Sequence, residues 1–279
     1  MHVFTNKKDL QDHLNKQDKT IGFVPTMGAL HIGHISLVDM SLAQNDVTVV
    51  SIFVNPTQFN NSNDLDKYPR TINADIALLK GASEDIVVFI PEVKDIYGDN
   101  LVSTSFDFQG LENKMEGKFR EGHFDGVGTV LSLLFNAVNP TRAYFGEKDF
   151  QQLQIIKKLV EINKIPVEII GCKIFREQDG LAFSSRNARL TTEQRTEAKF
   201  IFQVLSEVES LFGIKSVTEL VAFVKAKFNN HPLFKLEYFE IADTENLNTA
   251  ENIQKEKKYR AFIAVFADEV RLIDNIALN

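Results

Sequence analysis

"PTMGALHIGH", residues 25–34, joins two kinds of pattern and sets the architecture of everything around it. Ile21-Gly22-Phe23-Val24 before it is a continuous apolar run, the signature of a short buried strand. After it, Ile35, Leu37, Val38, Met40 and Leu42 follow a helical spacing. The two histidines therefore sit at a strand-to-helix turn, where nucleotide-binding α/β folds collect phosphates. At a spacing of three, His31 and His34 share one face of the first helical turn. Unpaired backbone N–H groups there attract an anion, and two imidazoles add donors aimed at it. Gly28 and Gly33 allow backbone and ligand to approach closely. A packed histidine pair and half of a zinc shell are the other uses of this spacing. The sequence offers no further Cys or His cluster to complete such a shell, so no metal ligand is assigned.

The alternation continues outward. Strand-like runs fall at 20–24, 47–54, 86–90, 143–145 and 166–170, with helical patterns near 6–17, 33–45, 66–80, 126–138 and 149–163. This predicts a doubly wound, Rossmann-like parallel sheet over residues 1–175. An extra strand is expected at 103–108. Residues 176–279 read as a smaller α+β lid domain: a polar loop with a turn at Asp179-Gly180, helices at 191–211 and 216–228, and strands at 236–242, 259–267 and 270–273. Asp268-Glu269 reads as a hairpin turn, although glycine is the usual residue there.

Composition narrows the class. The 279 residues carry 31 Lys and Arg against 38 Asp and Glu, a net charge of −7, with no long basic block. Nucleic acid is not an expected partner. No apolar run nears the roughly 18 residues of a membrane span. Residues 1–8 lack a signal-peptide pattern, and the single Cys172 suits a reducing compartment, so a cytoplasmic location is expected.

Three more strand-end or loop segments carry candidate chemistry. In "FVNPTQF" (53–59) the neutral amides of Asn55 and Gln58 suit a small hydroxylated or carboxylated substrate, or simply build an Asn-Pro turn. In "YFGEKDFQQL" (144–153) Lys148 is a point charge suited to phosphate, Asp149 a helix cap, and Gln152 lies one turn further on; a solvated charge run is the other reading, and the position at a third strand end favours function. In "FSSRN" (183–187) Ser184, Ser185 and Arg186 suit a mobile polyphosphate clamp, or a surface serine turn. Neither GxxxxGK[ST] nor GxGxxG occurs, so the histidine turn is the nucleotide-binding candidate.

"HIGH" is shared by an ATP-binding superfamily of nucleotidyltransferases and class I aminoacyl-tRNA synthetases. The ordered set "VPTMGALHIGH", "SIFVNPTQF", "DLDKYPRT", "GHFDGVGTV", "FGEKDFQQL", "DGLAFSSRNARL" and "RLIDN" is far more specific. It resembles the pantothenate synthetase (pantoate–β-alanine ligase) family from about residue 20 to the C-terminus. The resemblance implies ATP with Mg2+, pantoate and β-alanine as the small molecules bound, a pantoyl-adenylate intermediate, and a homodimer. It implies that Met27, Gly28, Ala29, Leu30, His31, Ile32, Gly33 and His34 hold ATP, with His34 the catalytic histidine and His31 its partner. Gly146, Glu147, Lys148, Asp149, Phe175, Phe183, Ser184, Ser185 and Arg186 complete the ATP set, with Lys148, the two serines and Arg186 serving the phosphates. Asn55, Gln58 and Gln152 are expected at pantoate or β-alanine. Ile32, Glu121, Leu133 and Phe183 depart from the family pattern, and none removes a residue assigned to chemistry. A nucleotidyltransferase that keeps the nucleotidyl group on its product, and a non-catalytic nucleotide-binding module, are the alternatives. Released AMP and turnover discriminate them.

Overall fold

A computed structural model describes residues 1–15, 19–59, 65–66 and 68–279. The chain divides into two compact units: Met1–Glu147 with Gln151–Lys173, and Lys148–Phe150 with Ile174–Asn279.

In the first unit, strands β1 (His2–Phe4), β2 (Ile21–Thr26), β3 (Val47–Ile52), β4 (Val87–Phe89), β5 (Arg142–Gly146) and β6 (Glu168–Cys172) form a sheet in the order β1-β4-β3-β2-β5-β6. Every described pairing in it is parallel. From β2 the chain winds outward through β3 and β4, then returns to place β5 on the other side of β2. This makes β2/β5 the topological switch point, the position where open α/β sheets bind ligands. The carboxyl ends there are Thr26 and Gly146. Pro25 is tolerated in the central β2 because it pairs with Ser51 of β3, beyond the two residues in register with β5.

Helices α1 (Lys7–Leu14), α2 (Ile32–Gln44), α3 (Ile72–Ala82), α4 (Val93–Tyr97), α5 (Met115–Phe119), α6 (His123–Val138) and α7 (Phe150–Asn163) connect the strands. Val24, Val50, Val88, Ile35, Val38 and Leu79 make one buried cluster between strands, α2 and α3. Each such side chain contributes about 1.5–3 kcal/mol on burial.

In the second unit, α8 (Thr192–Glu197), α9 (Lys199–Leu211) and α10 (Val217–Phe228) accompany an antiparallel sheet of β7 (Lys235–Asp243), β8 (Tyr259–Ala267) and β9 (Val270–Ala277). Leu205, Val208, Leu220, Val224, Ile241, Ile263 and Val265 form its core. Asp268 takes the left-handed φ of +49° in the two-residue turn, and Gln194 Nε2 donates to its carboxylate at 2.6 Å. An aspartate tolerates that conformation far better than most residues, which is why the turn works without glycine.

The structure corrects four local expectations. The segment 103–108 is not a strand. Its N–H groups are taken by side chains of α6: Thr104 N–H donates to Thr129 Oγ1 at 2.8 Å and Phe106 N–H to Asp125 Oδ1 at 3.0 Å. The strand expected at 166–170 begins only at Glu168, because Pro166 has no N–H for a ladder. The helix expected at 191–211 is divided at Ala198. The expected helix at 66–80 is realised as Ile72–Ala82. Residues 16–17 and 67 of the predicted helices lie outside the described residues. The edge strand β1 has no counterpart in the sequence reading, since three residues are too few to show a period.

Candidate active site

The turn after β2 is built by hydrogen bonds that the sequence pattern does not announce. Thr26 Oγ1 donates to the Ser51 carbonyl at 2.7 Å and accepts the Gly28 N–H at 3.2 Å. Gly28 and Ala29 both adopt left-handed φ, +83° and +50°. A Cβ on Gly28 would lie 3.1 Å from Asp75 Oδ2 and 3.2 Å from Ile52 Cγ2, so glycine is needed for space as well as conformation. Asp75, 2% exposed in the first turn of α3, offsets the strain at Ala29. Its Oδ2 accepts the Ala29 N–H at 3.1 Å, and its Oδ1 accepts the Leu30 N–H at 2.8 Å and the Thr71 hydroxyl at 3.0 Å. Sequence reasoning misses Asp75; the available signal is the single acidic residue of α3, placed in its first turn.

The turn delivers His31 as the N-cap of α2, in extended backbone, and His34 as its third helical residue. The rings lie 4.0 Å apart between centroids, tilted by 35°. His34 Nδ1 accepts the His31 N–H at 3.2 Å. An accepting Nδ1 bears no proton, which fixes the tautomer with the proton on Nε2. His34 thus carries its N–H donor at a helix start, where the dipole already favours an anion. Ile32 is 45% exposed, off the face shared by the histidines.

After β3, Pro56–Gln58 form one 3-10 turn. Asn55 is 1% exposed, with all four of its hydrogen-bonding positions engaged inside the protein. Nδ2 donates to Gln58 Oε1 and to the Gly126 carbonyl, each at 3.1 Å; Oδ1 accepts the Tyr97 hydroxyl at 2.6 Å and the Thr57 hydroxyl at 3.1 Å. Asn55 is therefore placed to hold the turn, whereas the sequence reading has it meet substrate. Gln58, 8% exposed, donates from Nε2 to Met27 Sδ at 2.9 Å, joining this turn to the one after β2. His123 Nδ1 lies 3.0 Å from the Gln58 carbonyl oxygen. A Cβ on Gly126 would come within 2.4 Å of the Thr57 carbonyl oxygen and 2.7 Å of Gln58 Cα, so α6 seats on the turn only with glycine there. Burial raises the Tyr97 phenol above its usual value, against the bonds to Thr57 and Asn55, so it stays a donor.

After β5, Gly146 and Glu147 belong to the first unit, as does the half-buried Gln152. The neighbouring Gln151 is structural: it donates to the Leu111 and Lys114 carbonyls at 2.8 and 2.7 Å and accepts the Glu116 N–H at 2.9 Å. Cys172 is 2% exposed, with its thiol pushed up to about 11 by burial and by the charge of Glu147. It stays protonated and is no nucleophile.

The second unit carries the remaining candidates, including Lys148 and Asp149. Asn275 Nδ2 donates to the Lys148 carbonyl at 2.8 Å, and the Arg260 guanidinium lies 4.2 Å over the Phe150 ring. Asp274, 3% exposed, takes a bidentate pair from Arg176 at 2.7 and 3.0 Å. Burial pushes its carboxyl up, and Arg176 opposes that push. Arg176 begins a hairpin: it bridges Ala182, Phe183 N–H donates to the Phe175 carbonyl at 3.0 Å, and Gly180 turns with φ +92°. The Phe175 and Phe183 rings meet edge-on, 6.1 Å apart. Ser184 caps the following 3-10 turn, its Oγ accepting the Arg186 N–H at 3.3 Å. That is the serine turn given above as the other reading of this loop. Ser185 and Arg186 are exposed on it, and Asn187 ties the turn back to the Ala182 carbonyl at 3.2 Å. The "RLIDN" motif is thereby explained: Asp274 and Asn275 anchor the hairpin root and the Lys148 segment. Residues 64 and 67 of "DLDKYPRT" lie outside the described residues.

Among the described residues no three His, Cys, Asp or Glu side chains group to hold a metal ion, and no helix is long and apolar enough to cross a membrane.

The chain resembles known proteins over its whole length. A family model described as Pantoate-beta-alanine ligase matches residues 2–277. The chain is 56% identical to a pantothenate synthetase of Flavobacterium psychrophilum over 100% of both chains. It is 48% identical to one of Bacteroides fragilis over 99% of this chain and 98% of the relative. Among solved structures, pantothenate synthetase from Thermus thermophilus superposes with a TM-score of 0.90 at 37% identity, covering 100% of this chain and 99% of that one. The Francisella tularensis pantoate-beta-alanine ligase, complexed with β-γ ATP and β-alanine, gives a TM-score of 0.81 at 38% identity over 100% and 98%. The chain belongs to the pantoate–β-alanine ligase family.

Proposed function

We propose that this chain condenses pantoate with β-alanine, driven by ATP, in two steps. A pantoate carboxylate oxygen attacks the α-phosphorus of ATP; the bond to the bridging oxygen breaks, and pyrophosphate leaves with that electron pair. The β-alanine amine then attacks the acyl carbon of the pantoyl adenylate, expelling AMP, and the amine proton is released. The observation that carries this reading is His34, whose Nδ1 is occupied by the His31 N–H so that Nε2 holds the proton. A carboxylate is a weak nucleophile, so catalysis must come from positioning and from neutralising phosphate charge.

His34 and His31 serve the α-phosphate, with the 27–33 backbone holding the nucleotide. Gly146, Glu147, Lys148, Asp149, Phe175, Phe183, Ser184, Ser185 and Arg186 make up the rest of the ATP set, with the two cations on the charged groups. Gln58 and Gln152 take the acid substrates, and Asn55 serves Gln58. Magnesium arrives with ATP, its oxygen preference met by phosphates and water. Substrate binding to a relative supports the reading, since the Francisella protein was crystallised with β-γ ATP and β-alanine. The enzyme is a cytoplasmic homodimer in this reading; light scattering at micromolar concentration should give about twice 31.6 kDa, and a mass of 31.6 kDa refutes the dimer. Product analysis tests the chemistry: AMP and pantothenate in equal amounts are expected, and ADP refutes an adenylate.

A further inference from the structure

Gln58 is assigned above to the acid substrates, but nothing in its own backbone decides which end of its amide faces a ligand. The chain of hydrogen bonds behind it does. The Gly126 carbonyl can only accept, so the Asn55 atom 3.1 Å from it must be Nδ2. That orients Asn55 with Oδ1 toward two hydroxyls, Tyr97 at 2.6 Å and Thr57 at 3.1 Å, which themselves lie 2.9 Å apart. Nδ2 then donates to Gln58 Oε1, and the Gln58 N–H end is left facing Met27. Asn55 is buried at 1% exposure, so water cannot replace a missing partner easily. The Tyr97 ring is fixed against Phe53, centroids 6.5 Å apart, at the last residue of α4.

We infer that Tyr97 is a positioning residue for substrate recognition: its hydroxyl holds in place the Asn55 amide that the Gly126 carbonyl orients, and Asn55 in turn keeps the amide of Gln58 with N–H, and not C=O, toward the substrate. Its consequence is specificity. A hydroxyl or carboxylate oxygen of the acid is welcomed at this point, and a donor-only group there is rejected. The inference rests on the assignment of Gln58 to the acid, and the experiment separates the two.

Tyr97→Phe keeps the ring and removes only the hydroxyl. The KM for pantoate in ATP–pyrophosphate exchange is measured for Tyr97→Phe, Gln58→Ala and the double variant, alongside affinity for ATP alone and the melting temperature. Tyr97→Phe should raise the pantoate KM about fivefold, from the loss of one buried hydrogen bond, with ATP affinity unchanged. In the Gln58→Ala background the same substitution should have no further effect on that KM. The side-chain amide NMR signals of Gln58, assigned by their loss in Gln58→Ala, should shift in Tyr97→Phe. Thr57→Val removes the second hydroxyl on Asn55 and should raise the KM in the same direction by a smaller factor; it carries the test if Tyr97→Phe does not fold. A KM effect that persists at full size without Gln58 overturns the inference, as does an unchanged pantoate KM while Gln58→Ala raises it. If Gln58→Ala itself leaves the pantoate KM unchanged, the assignment of Gln58 falls, and the inference with it.

Discussion

The Gln58 turn and the Asp274–Asn275 strand end perform a similar task with opposite chemistry. In the first, every group of the network is neutral: Asn55, Gln58, Tyr97, Thr57 and a main-chain carbonyl. In the second, a buried carboxylate grips a guanidinium, and a second guanidinium lies over the Phe150 ring. Neutral amides have direction, so their network fixes which end of a side chain a ligand meets. An ion pair holds firmly but says less about orientation. It suits anchoring a hairpin whose exposed Arg186, in the proposed reaction, has only to supply charge. Loss of one partner should therefore affect recognition in the neutral network and folding in the ionic one.

Asp274→Ala is the severest challenge to that contrast. It leaves the half-buried Arg176 without its carboxylate and should cost about 3–5 kcal/mol of stability, read by denaturant unfolding. A change below about 1 kcal/mol would mean that the pair contributes no more than an exposed ion pair. His34→Ala comes next. Removing one preorganised donor should lower kcat about 10²–10³-fold, with little change in melting temperature. Near-normal kcat would place the chemistry elsewhere. Tyr97→Phe gives the smallest effect of the three. It separates the two networks most finely, because it should move a substrate KM and hardly anything else.

Much of this is legible in the residues. The run Ile21–Val24 followed by a helical pattern locates the β2–α2 turn, because hydrophobic period and glycine placement are local properties. The ends of β3 and β5 are found in the same way. What escapes depends on distant partners. Asp75 sits 45 and 46 positions from the N–H groups it holds, and no local pattern points to them. Asn55 looks like a substrate ligand in sequence because its four partners come from α4, α6 and its own turn. A linear boundary at 175 cannot express that Lys148–Phe150 belong with the second unit, where Asn275 and Arg260 hold them. The segment 103–108 has strand-like residues, yet side chains of α6 take the N–H groups that a ladder would need.

In the proposed reaction pantoate itself takes the adenylyl group, with no enzyme nucleophile; the buried Cys172, its thiol raised to about 11, is not available for that role. Isotope exchange probes this step without the second one. Labelled pyrophosphate is incubated with enzyme, ATP and magnesium, with and without pantoate, and β-alanine is withheld. Label should enter ATP only when pantoate is present, and Lys148→Ala and Arg186→Ala should both suppress the exchange. Exchange without pantoate would reveal an adenylylated enzyme, and exchange appearing only after β-alanine is added would show a concerted ligation; neither is compatible with a pantoyl adenylate formed in the first step.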